Sequence, residues 1–508
     1  MKKKLLPLLL LFAALASQGQ DVGFPYHQAT SPGFPYNPDQ PIFNSPLDTL
    51  PAVKKLGRAM NILSEFRIQA YIQPEWQRTD TAGGGTGSVP KIAGVQGGQF
   101  PATANNRFIV RRGRFKLSYE HKNAKDLKIM EFAFQFDATE KGFNAIKDAY
   151  GKIIDPWTGW FGLQGGIFLR PFGNESPAPP AFYESPEFSR VNQTVMPNEC
   201  ELGEAIVIES PGKFRKFYFR ADATLVNGEG VGQGSQTGTY MSSKDFIGRV
   251  KLGKAWDLNG GSKVQHGLTI GINGTASYYG GRVLQTNPGV YEVIDGSFQN
   301  ITTTHADSVN NLYRAHYKRQ YYGAHLEVKA DYYGGTSTLR GEFIGGVQPG
   351  SSSSSSVPLG TGNGVPGVDL YIRDFRGAMF YAVQSFKQRV KDGHTMYHDL
   401  TVKFDFYNPN TAVKQSQMTT GEHFNGTDVE YSTLGLGYSF VPYNWFKLMI
   451  WYDYVINANT GINSIPVGNF TSNYGKDNVL TIRTQFYIDT KWFGSASKYT
   501  DNLMLKQY

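Results

Sequence analysis

The sequence predicts an all-β protein, a transmembrane antiparallel β-barrel of about 16 strands with short turns at one end and long loops at the other. The first observation is that segments throughout 64–488 alternate apolar and polar residues; Phe66 and Ile68, for example, alternate with Arg67 and Gln69. Side chains along a strand point to opposite faces, so each segment has one apolar and one polar face. The second is that no segment there is long and apolar enough for a membrane helix. A lipid-facing wall around a watery lumen requires this alternation in every strand.

The composition agrees with a barrel. The mean hydropathy of −0.37 is in the range of soluble proteins. A barrel can have such a value because its apolar outward residues alternate with polar inward residues, which lowers the average. Aromatic residues make up 14% of the chain, and aromatic side chains favour strands and form girdles at the two interfaces of membrane barrels.

The N-terminus predicts a cleaved signal peptide at 1–19. Lys2, Lys3 and Lys4 form its positive region, 5–14 its apolar region, and 14–16 an Ala-Leu-Ala cleavage pattern. Cleavage removes three lysines and lowers the net charge from +8 to about +5. This net positive charge is small, and the basic residues are not concentrated in one part of the sequence. Nucleic acid is therefore not expected as a partner.

Residues 20–63 predict a periplasmic Pro-rich linker that ends in a short helix. The tetrapeptide Gly-Phe-Pro-Tyr occurs at 23–26 and again at 33–36. Two interpretations remain open for this repeat, a spacer or a docking motif for a periplasmic partner. Residues 489–508 follow the last predicted strand and are expected to be a C-terminal periplasmic extension, unless that strand continues to Trp492.

The alternating segments give sixteen predicted strands. They are predicted to start near residues 64, 107, 127, 142, 159, 203, 213, 243, 263, 315, 335, 368, 397, 428, 443 and 477. The connections between them mostly alternate between short and long, as in barrels with short periplasmic turns and long outer loops. Both ends of the barrel are therefore expected on the periplasmic side.

The polar face of each strand is expected to line the lumen, because a Lys or Arg at the lipid-facing midplane costs roughly 2–4 kcal/mol. The basic side chains on these faces are Arg67, Arg112, Arg114, Lys116, Lys216, Arg220, Arg249, Lys251, Lys329, Arg340, Lys403, Lys447 and Arg483. The acidic ones are Glu131, Asp137, Asp222, Glu327, Asp331, Glu342, Asp399, Asp405 and Asp453. Arg112, Arg114 and Lys116 share a face without an acid, which predicts an exposed positive track. Rings of Arg and Lys select anions.

The sequence gives little support for a disulfide, a metal site or a nucleotide site. Cys200 is the only cysteine, so neither an intrachain disulfide nor a Cys-based metal site is expected, and no metal or cofactor is predicted. The run 362–367 matches G-x-G-x-x-G, but it precedes a strand rather than a helix, which argues against a nucleotide site.

A series of short motifs runs along the chain from about residue 60 to 488: Arg111, Arg112, Arg114 and Lys116, then Lys147 to Tyr150, Arg170 to Gly173, Glu184 with Pro186, Pro197 with Glu199, Asn227 with Gly228, Gln320 with Gly323, Leu339 to Glu342, Tyr407 to Asn410, and Asp477 to Val479 with Arg483 and Gln485. In these motifs the chain resembles the phosphate-selective porin family (porins O and P) of outer-membrane proteins, in the form found in Bacteroidetes. No single motif is decisive, whereas their shared order over more than four hundred residues is specific.

The resemblance implies a homotrimer in the bacterial outer membrane, with phosphate-like anions as permeants. It implies that Arg111 joins Arg112 in the anion pathway and that the third outer loop, 172–202, folds into the pore as a constriction. One departure concerns the charge of this loop. Arg170 and Arg190 face six acids, Glu175, Glu184, Glu187, Glu199, Glu201 and Glu204, which gives the segment a net charge of −4.

Three functions follow as alternatives. A porin for passive diffusion of small hydrophilic solutes is the first, with anions favoured by the wall and opposed by the acidic loop; a non-selective or cation-leaning porin is its variant. A scaffold or receptor barrel that binds through its long loops is the second. An outer-membrane hydrolase is the third, for which His394, His398, Asp399 and Ser385 are the only candidates. Solvated turn residues are the simpler interpretation of those histidines, so the chain is predicted not to be an enzyme.

Overall fold

A computed structural model gives the structure of the chain. It describes residues 65–80, 100, 104–123, 127–139, 145–196, 199–211, 217–228, 244–258, 268–285, 289–294, 297–301, 315–350, 369–390, 395–415, 428–458, 465–467, 470–472 and 478–490. The predicted signal peptide, the linker with its repeat, Lys216, His394 and the tail after residue 490 lie outside the described residues. No helix in the described ranges has the length and apolar character needed to cross a membrane.

Sixteen antiparallel strands form the barrel. They are β1 (Phe66–Thr79), β2 (Asn106–Lys122), β3 (Lys128–Asp137), β4 (Ala145–Ile154), β5 (Phe161–Leu169), β6 (Cys200–Glu209), β7 (Phe217–Val226), β8 (Asp245–Asp257), β9 (Thr269–Gln285), β10 (Ala315–Tyr332), β11 (Gly335–Gly350), β12 (Leu370–Arg389), β13 (Thr395–Asn408), β14 (Tyr431–Tyr443), β15 (Phe446–Val455) and β16 (Val479–Asp489).

Each strand pairs with the next, and β16 pairs with β1, so the sheet is closed. At the seam Ala70 lies opposite Ile488, and Arg67 donates from Nε to Asp489 Oδ1 at 3.0 Å. Closure leaves no strand edge with unpaired backbone groups, which is the condition for a sheet in a membrane. The predicted fold class, with about 16 strands, is confirmed.

Two short hairpins occur in addition to the sixteen barrel strands. Val290–Ile294 pairs with Ser297–Asn300, and its first strand also pairs in parallel with β12 at Leu370. The second hairpin pairs Ile465–Val467 with Phe470–Ser472. Both belong to long connections, so they extend the loop end of the barrel and leave the strand count unchanged.

The outer wall is apolar and the inner wall is charged. Phe108 on β2 is 84% exposed, and Leu339 on β11 is also exposed. Their sequence neighbours Arg107 and Arg340 instead bond to Gln77 and Glu184 inside the barrel. Exposed large apolar side chains that alternate with paired charges match a lipid-facing surface around a polar lumen.

Two of the β-bulges each add a basic residue to the inner wall. Gln73 on β1 lies opposite Arg112 while Pro74 lies opposite Val110, so Arg111 is an extra residue on β2. On β4, Lys147 is extra in the same way. A bulge places two residues against one partner and changes the parity of the strand. Arg111 and Arg112 therefore both face the lumen, as do Lys147 and Asp148.

A large aromatic side chain fills the lumen wall at β14 and β15. Trp451 is buried, lies opposite Gly437 and covers Gly435 as well. A Cβ atom built on Gly437 would lie 2.2 Å from the Trp451 ring, and one on Gly435 would lie 2.3 Å away. Both positions need glycine because the indole ring occupies the space of a side chain.

Gly437→Val is expected to destabilise the barrel, because Trp451 must leave its position; overpacking of this kind typically costs about 1–3 kcal/mol. The matched control is Gly274→Val on the outer face of β9, where the nearest atom to an added Cβ is 3.9 Å away. Guanidinium unfolding in detergent micelles, followed by circular dichroism, measures both variants. Equal unfolding midpoints for the two variants would contradict this account of Trp451.

Candidate pore constriction

The connection between β5 and β6, residues 170–199, folds into the barrel and is called the inner loop. It contains a 3-10 turn (Pro180–Phe182) and a short helix, α1 (Arg190–Val195). Gln485 on β16 donates to Ala181 O at 3.0 Å, and Lys447 on β15 donates to Tyr183 O at 2.5 Å. These inward side chains lie on β15 and β16, six and five strands around the barrel from β5, so the loop extends across the lumen.

Apolar contacts hold both ends of the inner loop against the wall. Phe172 makes edge-to-face contacts with Tyr279 and Tyr321, with ring centroids 6.3 and 6.1 Å apart. Val191 of α1 lies on Gly377 of β12, where an added Cβ would be 2.5 Å from the Val191 Cβ atom. These contacts belong to one buried apolar cluster, which fixes the loop across β9–β12.

The loop enters the lumen through a turn at Gly173. Its φ of +66° is in the left-handed region, and an added Cβ would lie 2.1 Å from Glu342 Oε1. The backbone N–H groups of Asn174 and Glu175 donate to the same carboxylate at 2.9 and 3.0 Å. Glycine is required here both by the conformation and by the close approach of Glu342.

Glu187 is the centre of the charged contacts. Its carboxylate accepts from Arg111 Nε at 2.8 Å, Arg112 Nη2 at 2.8 Å and Arg483 Nη2 at 3.0 Å. Arg483 also pairs with Glu75 of β1. The Glu187 side chain is 1% exposed. Three arginines from β2 and β16 and two carboxylates form this cluster, which we call the Glu187 cluster; its formal charge is +1.

Two further loop carboxylates bind the wall. Glu184 accepts from Arg340 of β11 at 2.6 and 3.0 Å. Glu199 accepts from Arg114 Nη2 at 3.0 Å, and Arg114 Nε donates to Asp137 at 3.0 Å. With Glu187, three acids of the loop therefore point at basic side chains of the wall, whereas Glu175 accepts hydrogen bonds from Ser189, Asn192 and Tyr381.

The prediction that Arg112, Arg114 and Lys116 form an exposed positive track is wrong, because these side chains are paired and the two arginines are buried. Arg112 and Arg114 are 4% and 5% exposed, and Lys116 donates to Asp148 Oδ2 at 2.7 Å. The acids that pair with this face come from the inner loop and from neighbouring strands. Pairings between segments distant in sequence are not visible in the pattern of a single strand.

The remaining predicted site residues take several positions. Arg220 and Arg249 share Asp222, and Lys251 donates to Asn174 Oδ1 at 3.0 Å. Arg170 lies 3.8 Å from Glu201 at the base of the loop.

Two charged residues of the segment 170–204, Arg190 and Glu204, do not make the contacts expected of a constriction loop. Arg190 uses its backbone N–H to bind Asp405 at 2.8 Å, and its guanidinium lies over the Tyr431 ring. Glu204 lies on β6 rather than in the loop and is exposed, next to buried Ala205, so it faces outward and adds no charge to the constriction.

Lys147 is a basic residue that the analysis of strand faces missed. It lines a small cavity of about 80 Å³ together with Arg114 and Lys116. The signal was present in the sequence, because the outward residues of β4 change from even to odd numbers between Ile146 and Ala149. A change of parity of this kind marks a bulge.

A larger polar cavity of about 300 Å³ lies beneath the inner loop, near the short-turn end. We call it the vestibule. Pro171 and Pro177 of the loop border it, and its charged lining consists of Lys116, Lys128, Lys152, Arg220, Arg249, Glu131, Asp148, Glu209 and Asp222. Five basic and four acidic side chains give this lining a formal charge of +1.

Three acids of the inner loop, Glu184, Glu187 and Glu199, have lowered pKa values and are held ionised. Burial alone would raise the pKa of Glu199, but Arg114, Lys147 and Arg112 outweigh it and lower the pKa from 4.5 to about 2. Burial likewise opposes ionisation of Glu187, whose pKa is nevertheless well below the usual range because Arg111, Arg112 and Arg483 surround it. Arg340 lowers the pKa of Glu184 against the effect of burial.

The hydrolase candidates do not converge. His398 bonds to Tyr438 OH at 2.8 Å on the outer face, whereas the adjacent Asp399 lies opposite Ser385 in the β12–β13 ladder. Consecutive residues of a strand point to opposite faces. His398 and Asp399 are therefore not arranged as a base and its orienting group.

The closed barrel has an apolar outer wall and a charged inner wall, and a loop is inserted into its lumen. These features place the chain in the class of transmembrane β-barrels. No protein-family model matches the chain, and no curated protein matches its sequence. Similar solved structures include OprB of Pseudomonas putida, with 11% identity, a TM-score of 0.46, and coverage of 86% of this chain and 97% of that one. The anion-selective porin of Comamonas acidovorans has 9% identity and a TM-score of 0.39, over 83% of this chain and 99% of that one.

The outer membrane channel DcaP of Acinetobacter baumannii is a further similar structure, with 10% identity and a TM-score of 0.40, over 83% of this chain and 97% of that one. At this identity and TM-score these similarities do not assign the chain to a family. The phosphate-selective porin family is therefore not established for this chain and remains a proposal.

Glu187→Gln is expected to loosen the inner loop, because it leaves buried arginines without their shared anion; removing one partner of a buried ion pair costs about 3–5 kcal/mol. Hydrogen exchange of the backbone amides between 180 and 190 should accelerate. Glu184→Gln is the matched control, since Glu184 binds one arginine and is 21% exposed, and its effect should be smaller. Equal exchange rates in wild type and Glu187→Gln would show that apolar contacts alone hold the loop.

The inner loop is expected to stay closed in mild acid. The depressed pKa values mean that these carboxylates contribute stability above pH 4.5, which is lost as the pH falls towards 2. A spin label on the loop should remain immobile at pH 5 and gain mobility only below pH 4. Release of the label between pH 5 and 7 would contradict this assignment of the ion pairs.

Proposed function

We propose that the protein is an outer-membrane porin through which small hydrophilic solutes diffuse passively. The observation that carries the proposal is the barrel itself, with a charged inner wall and a loop that narrows the lumen. Closure of sixteen strands around an aqueous channel is typical of porins. The predicted signal peptide supports export through the inner membrane.

We propose further that anions are weakly favoured. Glu184, Glu187 and Glu199 of the inner loop are paired with wall arginines, so the constriction is less negative than a count of the loop's charges suggests. The Glu187 cluster and the vestibule each have a formal charge of +1. Positive potential along a pore favours anions, and phosphate is the anion that the family resemblance suggests. Homotrimeric assembly rests on the same resemblance.

Planar bilayer recording tests the porin proposal. Purified, folded protein is expected to produce stable conductance steps, with a reversal potential on the anion side under a KCl gradient and partial block by added phosphate. A reversal potential on the cation side would overturn the proposed anion preference but not the proposal that the protein is a porin. Absence of conductance from folded protein would overturn the porin itself in favour of a scaffold or receptor.

Lys152 and Glu209, 3.7 Å apart in the vestibule, allow a matched test of the ion pathway. Lys152→Gln should lower the anion preference and Glu209→Gln should raise it, because the two changes remove opposite charges at one place. Both shifts in reversal potential should shrink from 0.1 M to 1 M salt, as the Debye length falls from about 10 Å to about 3 Å. If neither variant shifts the reversal potential, ions do not pass through the vestibule.

A further inference from the structure

The outward face of β8–β10 carries a row of basic side chains at the loop end of the barrel. Arg282 of β9 lies directly opposite Lys318 of β10. Lys244 precedes β8, two residues before Phe246, and Phe246 lies opposite Gly280. Lys244 is therefore level with Arg282, which follows Gly280 by two residues. Neighbouring strands are about 4.8 Å apart, so these three side chains, which we call the outer basic row, span about 10 Å.

The outer basic row points away from the lumen and is exposed. Arg282 precedes buried Val283, and Lys318 precedes buried Arg319, so both alternate with inward residues. Neither Arg282 nor Lys318 makes an ion pair with any residue that the structure describes. Asp374, an outward acid at the same end, lies two strands beyond β10, on β12. The face of β8–β10 therefore presents positive charge towards its surroundings.

An aromatic band lies beneath the outer basic row on the same three strands. The ring centroids of Phe246 and Tyr278 are 6.4 Å apart, and those of Tyr278 and Tyr322 are 5.5 Å apart. Phe246 is 40% exposed and Tyr322 is 53% exposed. Aromatic side chains on the outer wall mark the interface between membrane and water. The basic row lies two to four residues further towards the loop end, roughly 7–13 Å along the strands, and thus at the depth of lipid headgroups.

Polar groups connect the aromatic band with the basic row. Gln320 Nε2 donates to Tyr278 OH at 3.1 Å and to Tyr322 OH at 2.5 Å. Both phenols accept in these bonds, so each keeps its own O–H proton for another acceptor. A Cβ built on Gly280 would lie 2.6 Å from Tyr278 OH, which shows that this hydroxyl reaches over Gly280 towards Arg282. Two hydroxyl donors therefore lie directly below the basic charges.

This combination matches the chemistry of a phosphorylated sugar headgroup. Lys and Arg at a membrane surface attract anionic headgroups, and each contributes about a fivefold change in affinity. A glycerophospholipid offers a single phosphate, which engages one or two neighbouring cations. The glycolipid of an outer leaflet offers phosphates on both ends of a sugar unit, and its sugar oxygens accept hydrogen bonds. The loop end of the barrel faces that leaflet.

We propose that the outer face of β8–β10 at the loop end binds the phosphorylated glycolipid of the outer leaflet. The phosphates bind the outer basic row, and sugar oxygens accept from Tyr278 and Tyr322. The acyl chains lie on the apolar wall below the band, where Val250 and Leu326 are exposed. The proposal rests on the proposed outer-membrane location and does not require the barrel to conduct.

Native mass spectrometry of the folded protein in mild detergent, titrated with diphosphorylated lipid A, tests the proposal. Lipid A without its phosphates should bind about a hundredfold more weakly, because three basic side chains lose their partners. Inorganic phosphate should not displace the lipid. Equal binding of both forms of lipid A, displacement by inorganic phosphate, or equally tight binding of phosphatidylglycerol would each overturn the proposal.

Substitutions in the outer basic row locate the site. Arg282→Gln and Lys318→Gln should each weaken binding of lipid A about fivefold, and the double variant about 25-fold. Arg282→Lys keeps the charge and should bind as the wild type does. Arg78→Gln is the matched control, since Arg78 is an exposed basic residue at the loop end of β1, opposite Asn106. A double variant with wild-type affinity, or an equal loss in Arg78→Gln, would show that lipid A binds elsewhere.

Bilayer conductance of the same protein separates this proposal from the porin proposal. A wild type that conducts but binds both forms of lipid A equally overturns the glycolipid site alone. A wild type that binds lipid A through the outer basic row but does not conduct overturns the porin alone.

Discussion

A hydrocarbon layer offers no partner to a backbone N–H or C=O group, and the rest of this structure depends on that constraint. Every strand must pair on both sides, so the chain returns β16 to β1 and closes the sheet. Closure then divides the side chains into two populations. Those that face outward must be apolar, as Phe108 and Leu339 are, and those that face inward are free to be charged. The inner wall can therefore hold Arg111, Arg112 and Arg483 close together, which in turn gives the inner loop its site of attachment.

The inner loop is held by two kinds of contact with different physical origins. At Phe172 and Val191 it buries apolar surface against aromatic and glycine positions of the wall, a contact that does not depend on salt or pH. At Glu184, Glu187 and Glu199 it pairs with arginines in a largely buried environment, where the charges are screened less than at a surface. The ion pairs of Glu187 and Glu199 lie on β2 and β16, whereas the apolar contacts and the Glu184–Arg340 pair lie on β9–β12, so the loop is fixed from two sides of the lumen.

The strands were predictable from sequence because period-two alternation records directly which residues meet lipid. The sixteen predicted starts lie close to the observed ones, and the lumen faces of β2, β3, β7 and β16 were assigned correctly. Two things were not predictable in the same way. The bulges at Arg111 and Lys147 appear in the sequence only as a change of parity, which is weaker than the alternation itself. The partners of Arg112 and Arg114 come from the inner loop and from β3, and a pattern within one strand contains no information about pairings made across the lumen.

The bulge at Arg111 also bears on how such a barrel changes over evolutionary time. Replacing an inward residue by arginine exchanges one lumen side chain for another, and it removes whatever packing the first one made. An inserted residue instead adds a charge to the lumen while Val110 and Gly113, on either side, continue to face the lipid. Strand number, closure and the outer surface are all preserved. Single-residue insertions next to the inner loop are thus a route by which a barrel of fixed diameter acquires additional charge at one depth of its channel.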